Sequence, residues 1–333
     1  MEHVRFGSTG LKVSRLCLGT MTFGLQVDEE NSRAILDAAS EAGITFLDTA
    51  DAYPLGAPSH EEKGRTEEIL GRWLGNRRDD YVLATKCNAA MSDKPWDRGN
   101  SRKHIVEACE ASLRRLGTDY IDLYQLHGTD WDTPLEETMR ALDDLISAGK
   151  VRYVGVSNWP AWLLARSIGV SELNRWSTFA SVQPRHSLLY RQIEHELLPL
   201  CAYENIAVIP YNPLAGGMLS GKHRRDVPAS SDSRFGLNVA GKYYSERYWK
   251  DTEFDAVERI RPIAQEAGLP MVTLAVAWQL ANRAITSSII GASRPEQLVD
   301  VVAAATTELD PDVLEQLDTV TDHFRLTEPV KWG

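Results

Sequence analysis

Apolar runs of six to eight residues recur along the chain, and between them the apolar positions repeat at the spacing of an amphipathic helix. The runs are Arg15–Thr20, Ile44–Ala50, Tyr81–Cys87, Tyr120–His127, Val151–Asn158, Phe179–His186, Ile206–Pro213 and Ile285–Ala292. Helices are expected over Asp28–Ala42, Arg65–Leu74 and Ser101–Leu116, each followed by a glycine able to take the left-handed cap conformation. Further helices are expected over Pro134–Ala148, Ala161–Ile168, Glu194–Glu204, Pro270–Ala281 and Pro295–Ala305. Strands alternating with helices in this way predict an α/β fold with a parallel sheet, and eight such units predict a (β/α)8 TIM barrel.

Two pieces fall outside that count. Val4–Ser14 places a Ser-Thr-Gly turn between short apolar runs, which predicts an N-terminal β-hairpin plugging the bottom of the barrel. Asp310–Phe324 predicts an extra C-terminal helix. The stretch Gly221–Trp249, rich in Ser, Gly, Arg and Tyr with little periodicity, is expected to be a long loop. No linker or low-complexity tract interrupts the pattern, so the expectation is a single domain over residues 1–333.

Composition narrows the function. A chain of 333 residues, 43% hydrophobic, can bury a large core. Its formal net charge of -11 argues against nucleic-acid binding, which needs a basic face. No signal peptide or apolar stretch of membrane-spanning length is visible, so no membrane association and a cytoplasmic location are expected. Cys17, Cys87, Cys109 and Cys201 form no CxxC pair and have no histidine at ligand spacing. This disfavours a metal site and reads as four small core residues in a reducing compartment.

The chemistry collects at strand ends. FLDTADAY (Phe46–Tyr53) closes a buried run with two aspartates and a tyrosine, and a buried charged acid needs a cation. In a barrel the C-terminal strand ends form one rim. Asp48 ends the second strand, Tyr53 lies just beyond it, Lys86 ends the third and His127 the fourth. With neighbouring strands ~4.8 Å apart, these four side chains can meet. Asp51 reads as a structural residue able to form an Asx-turn.

This arrangement resembles the aldo-keto reductase superfamily, whose Asp, Tyr, Lys and His tetrad is matched by Asp48, Tyr53, Lys86 and His127. GSTGLKVSRLCLGTMTFG, GRTEEILGRWL, SLRRLGTDYIDLYQLH, GKVRYVGVSNW, YNPLAGGMLSGK and GASRPEQL look like family landmarks in family order, covering nearly the whole chain. The resemblance implies an enzyme that reduces an aldehyde or ketone. Tyr53 would donate the proton, Lys86 would ease its release, Asp48 would hold Lys86, and His127 would orient the carbonyl.

A strand-helix GxGxxG is absent, so a Rossmann site is not expected. The resemblance implies instead a nicotinamide lying across the rim. Ser157, Asn158 and Gln183 would hold its carboxamide, and Tyr211 would stack on its ring. Asn212, Leu214, Gly216 and Lys222 would wrap the pyrophosphate, and Gly291, Ser293, Arg294 and Gln297 would meet the adenosine end. Arg294 suits the extra phosphate of NADPH.

Phe23, Trp159 and Trp96 are candidate substrate contacts for a small carbonyl compound, a keto sugar among them. GGMLSGK (Gly216–Lys222) fits the start of a P-loop, but His223 stands where magnesium needs Ser or Thr. Two other readings stay open. One is a cofactor-binding regulatory subunit of the same fold with little turnover, and the other a metal-free hydrolase using Asp48. The charge leaves both a monomer and an oligomer open.

Overall fold

The computed structural model describes residues 1–231 and 233–326, with residues 238–240 described by their backbone. Residues 327–333 of the expected single domain lie outside this range. Strands β1 (His3–Arg5) and β2 (Lys12–Ser14) pair antiparallel as the expected hairpin. Eight parallel strands follow: β3 (Leu16–Gly19), β4 (Phe46–Asp48), β5 (Val82–Cys87), β6 (Ile121–Leu126), β7 (Val151–Ser157), β8 (Ser181–Gln183), β9 (Ala207–Val208) and β10 (Ser288–Ile290). Their order, β10-β3-β4-β5-β6-β7-β8-β9, is sequential around the sheet. Single parallel bridges Val208–Ile285 and Tyr211–Ile289 join the two ends and close the (β/α)8 barrel.

The helices on the outside are α1 (Glu29–Glu41), α2 (Arg65–Leu74), α3 (Arg102–Leu116), α4 (Leu135–Ser147), α5 (Ala161–Asn174), α6 (Leu197–Glu204), α7 (Asn238–Tyr248), α8 (Asp251–Glu266), α9 (Met271–Ala281), α10 (Leu298–Ala303) and α11 (Pro311–Thr321). The last is the expected terminal helix. Asp28 and Ser101 accept side-chain cap bonds at the starts of α1 and α3, and Gly117 adopts the left-handed conformation after α3.

Three expectations are corrected. β8 and β9 are far shorter than their apolar runs, because Pro184 and Pro210 carry no amide hydrogen for a ladder. Helix α5 continues past Ile168 through an exposed Gly169 and stops only at Arg175, itself left-handed at φ 58°. The expected loop Gly221–Trp249 contains α7 and a short 3-10 turn, Arg234–Gly236, and α8 follows it directly.

Two side-chain sets position the rim. Inside the barrel, Phe6 of the hairpin packs edge-on to Phe46 with Cys17, Ala84, Leu123 and Ile289 around it, filling the lower half. Between sheet and helices lie larger clusters, into which Cys87, Cys109 and Cys201 are packed. All four cysteines are free and buried. A plugged interior leaves the C-terminal mouth as the place where inward polar side chains can gather.

Candidate active site

Inward positions alternate along each strand, so Asp48 faces the barrel axis above Phe46, Lys86 above Ala84, and Gln125 above Leu123. Register then sets them side by side, with Lys86 opposite Gln125 and Ser157 opposite Gln183. Lys86 Nζ lies 2.5 Å from Asp48 Oδ1, 2.8 Å from the Thr49 carbonyl and 3.5 Å from Tyr53 Oη. Asp48 Oδ2 accepts from Gln183 Nε2 at 2.7 Å and from Gln125 Nε2 at 3.1 Å. The acid has a cation and two amides, so its burial is fully answered.

Gln125 is absent from the residues expected at the site, although a glutamine inside an apolar strand two residues before His127 is the signal that marks it. Gly155 makes room for it: a Cβ there would stand 3.3 Å from Gln125 Cγ and 2.4 Å from Ser181 Oγ.

Tyr53 and His127 form the upper layer. Their rings meet edge to face, 5.6 Å between centroids. The His127 amide donates to the Cys87 carbonyl at 2.8 Å, which fixes the loop after β6 against β5. Burial, and then the Lys86 charge, hold the His127 imidazole down at about 3, so the ring is neutral near pH 7. Burial first, and then Asp48, push the Tyr53 phenol well above its ordinary value. The expected easing by Lys86 is offset because Asp48 lies nearer to that ammonium than Tyr53 does. Tyr53 is therefore held as the protonated phenol.

The remaining expected residues fall into two groups. Ser157 Oγ donates to the Gln183 carbonyl at 2.8 Å; Asn158, left-handed at φ 61°, donates to the His127 carbonyl at 3.1 Å and accepts from Tyr211 Oη at 2.8 Å. These four continue from the tetrad around the rim. The amide nitrogen of Gln183 is committed to Asp48. Farther round, Asn212, Leu214, Gly216 and Lys222 follow β9, with Gly216 and Gly217 at φ 71° and 106° in a pair of 3-10 turns, which is no P-loop helix. Gly291 and Ser293 follow β10, where Ser293 N donates to Gln297 Oε1 at 2.8 Å, and Arg294 is exposed beside them.

Arg234, in the stretch expected to be a loop, also reaches this place. Its Nη2 lies 3.8 Å from where a Cβ on Gly291 would sit, and its guanidinium faces Tyr244. No periodicity marks it, and only the fold brings it there.

Two expectations about substrate contacts change. Phe23 is fully buried in the core with Leu18, Ile35 and Ile69, so it offers no surface to a ligand. Trp159 is almost fully buried, its Nε1 donating to the Gly128 carbonyl at 3.1 Å and its ring packed against Phe179. Trp96 is half exposed. Asp51 makes no Asx-turn: neither carboxyl oxygen has a hydrogen bond. Among the described residues, no three His, Cys, Asp or Glu side chains converge as a metal-binding set.

Comparison with known proteins agrees with this geometry. The sequence model of the Aldo/keto reductase family matches residues 15–322. The chain belongs to the aldo/keto reductase family. It is 37% identical over 327 residues to an uncharacterized oxidoreductase, YrpG, of Bacillus subtilis, with 96% of each chain covered. It is likewise 37% identical over 330 residues to a probable voltage-gated potassium channel subunit beta of Oryza sativa, again with 96% of each covered. A versiconal hemiacetal acetate reductase of Aspergillus parasiticus is 32% identical over 346 residues, at 96% coverage of both. The protein is thus an oxidoreductase of this family. Among the described residues no helix is long and apolar enough to cross a membrane.

Proposed function

We propose that this protein is an NADPH-dependent reductase that converts an aldehyde or ketone to the alcohol, acting as one barrel domain. The observation that carries the reading is Lys86, whose ammonium touches both Asp48 and Tyr53. A carbonyl that receives hydride develops negative charge on its oxygen, and a donor must be waiting there. Tyr53, protonated and almost buried, has the proton; as the alkoxide forms, the phenol gives it up and Lys86 stabilises the phenolate left behind. Asp48, held by Gln125 and Gln183, keeps Lys86 pointing at Tyr53. Neutral His127 orients the carbonyl by hydrogen bonding.

When bound, the nicotinamide supplies the hydride. The residues present fit such a dinucleotide. The backbone at Gly216 and Gly217 is left-handed, with Tyr244 and Phe235 over Gly216 and only His223 near Gly217, and Gly291 is exposed. Lys222, Arg234 and Arg294 stand near these glycines with no ion-pair partner among the described residues, in a molecule of net charge -11. Uncompensated cations beside open backbone suit phosphates. Ser157, Asn158 and Gln183 would hold the carboxamide and Tyr211 would carry the ring, while Asn212, Leu214, Ser293 and Gln297 complete the phosphate and adenosine end.

The experiment is a titration of NADPH and NADH followed by tryptophan fluorescence, with Arg294→Ala alongside. Arg294→Ala should weaken NADPH by tenfold or more, ~1.4 kcal/mol, and leave NADH unchanged. Binding of neither nucleotide would end the proposal. Three relatives named as potassium channel subunits beta support a second reading, a cofactor-binding subunit with slow turnover. Steady turnover of a panel of aldehydes with NADPH would decide against it.

A further inference from the structure

Helix α7 carries an arginine with no counter-charge. Arg247 Nη1 is closed off from solvent and has no hydrogen-bond partner, while the guanidinium carbon lies 3.8 Å over the ring of Tyr243. Among the described residues no carboxylate pairs with it. A second cation stands close by: Arg185 rests 3.3 Å over Tyr190, which also bonds it, and 5.8 Å from Tyr248. Nearby, Asn212 and Tyr248 are set against each other, and neither Asn212 Nδ2 nor Tyr248 Oη has a further partner. Buried donors normally find acceptors, and a guanidinium leaves its bonds unmade only at a penalty. Arg247, with part of its guanidinium unpaired and a second arginine close by, makes a site for an oxyanion.

Its place in the cleft identifies the molecule that brings the oxyanion. Arg247 is the foremost charge acting on the Tyr211 hydroxyl, which bonds Asn158 and through it the His127 carbonyl. Tyr243, under the Arg247 guanidinium, is among the groups acting on Tyr53. Through Tyr211 the arginine belongs to the tetrad end of the cleft, while Arg234, over the adjoining Tyr244, stands between that end and Gly291, and Arg294 lies at the glycine-rich end.

We propose that Arg247 is a specificity-determining residue that grips an acidic group on the carbonyl substrate, so that the substrate is an aldehyde or ketone carrying a carboxylate, phosphate or sulfate. This rests on the reading of the cleft as a carbonyl reductase. A planar guanidinium matches such a group through two parallel bonds, and the aromatic surroundings strengthen them.

The test compares 4-carboxybenzaldehyde with its methyl ester at saturating NADPH, for wild type, Arg247→Ala and Arg247→Lys. Wild type should favour the acid, and Arg247→Ala should lose at least about tenfold on the acid through KM, the scale of one charge-assisted bond. The ester should be untouched, and Arg247→Lys should recover part of the loss. Equal loss on both aldehydes, no loss on either, or a matching loss in NADPH affinity by fluorescence would overturn the inference; the last would assign Arg247 to the cofactor. Should wild type bind NADPH yet reduce neither aldehyde, the reductase reading itself falls. Calorimetry of benzoate on the NADP-bound protein then decides the inference alone: binding lost in Arg247→Ala sustains it, and equal binding or none in wild type refutes it.

Discussion

Asp48 and Asp51 stand three residues apart at the end of one strand, both buried, and the structure treats them oppositely. Asp48 faces the barrel axis, where Lys86, Gln125 and Gln183 meet it. Asp51 lies past the strand end. Its amide donates to the Lys86 carbonyl, which pins the backbone, but its carboxyl has only the adjoining Ala52 amide near it and no well-formed hydrogen bond. The nearby cation Arg115 is already held by buried Glu67, whose other oxygen accepts from Thr85. Burial, and then the charge of Glu67, push the Asp51 carboxyl well above the ordinary carboxylate range. Burial is common to both residues, so partners decide the charge: one aspartate is half of an ion pair, and the other is held as a neutral acid.

The sharpest way to break that contrast is to take the partner from Asp48. Lys86→Met leaves a buried carboxylate unpaired, so unfolding by denaturant should show a loss of about 3–5 kcal/mol. In the same variant, kcat on a model aldehyde should fall by about 10²–10⁴. A stable, active Lys86→Met protein would show that Asp48 needs no counter-charge. Tyr53→Phe removes the proton donor and leaves the pair intact. Turnover should drop by about 10²–10⁴ while NADPH affinity and denaturant midpoint stay near those of wild type. A rate within about threefold of wild type would move the proton donor elsewhere.

His127 gives a smaller effect, read through pH. Its folded value of about 3 lies below the ~6.5 of an unfolded imidazole. Between those values the unfolded chain binds the extra proton, so this residue lowers stability as pH falls through about 6.5 towards 3. His127→Gln should flatten that part of the stability profile, and the kcat profile of wild type should show no imidazole limb between about pH 5 and 8. A limb near ~6.5 that the substitution abolishes would mean the ring ionises during turnover.

Why Asp48 is legible in the sequence and Asp51 is not follows from the same geometry. The tetrad is built from strand ends, and strand ends are read from apolar runs whose period fixes which side chains face inward. The same parity marks Gln125, polar at an inward position of β6. Asp51 lies in a loop with no period, where its surroundings come from α2 and α3, far off in sequence; local spacing suggests an Asx-turn, and distant Glu67 and Arg115 set the actual environment. The first two helices after β9, α7 and α8, are hidden for similar reasons. Gly241 interrupts α7, where a side chain would strike the Phe235 carbonyl, and Pro262 sits inside α8, breaking the pattern that announces a helix. Arg234 and Arg247 are hidden with them, since a loop gives no direction to a side chain.

The finest probe of the comparison is Asp51→Asn, which keeps the shape and fixes the neutral state. An acid whose folded value is raised binds its proton in the native protein after the unfolded chain has released it near ~3.9. Wild-type stability should therefore decline as pH rises above about 4, and the substitution should remove that decline. The two proteins should unfold alike near about pH 4, and by about pH 7 Asp51→Asn should be the more stable, since each tenfold difference in proton affinity between the folded and unfolded chain is worth ~1.4 kcal/mol. Glu67→Gln should shrink the slope without abolishing it, because Arg115 is then released towards Asp51 while the burial remains. Were Asp51→Asn less stable at neutral pH than wild type, the carboxyl would have to be ionised and bonded in the native protein. The two aspartates would then differ in partner only, and not in charge.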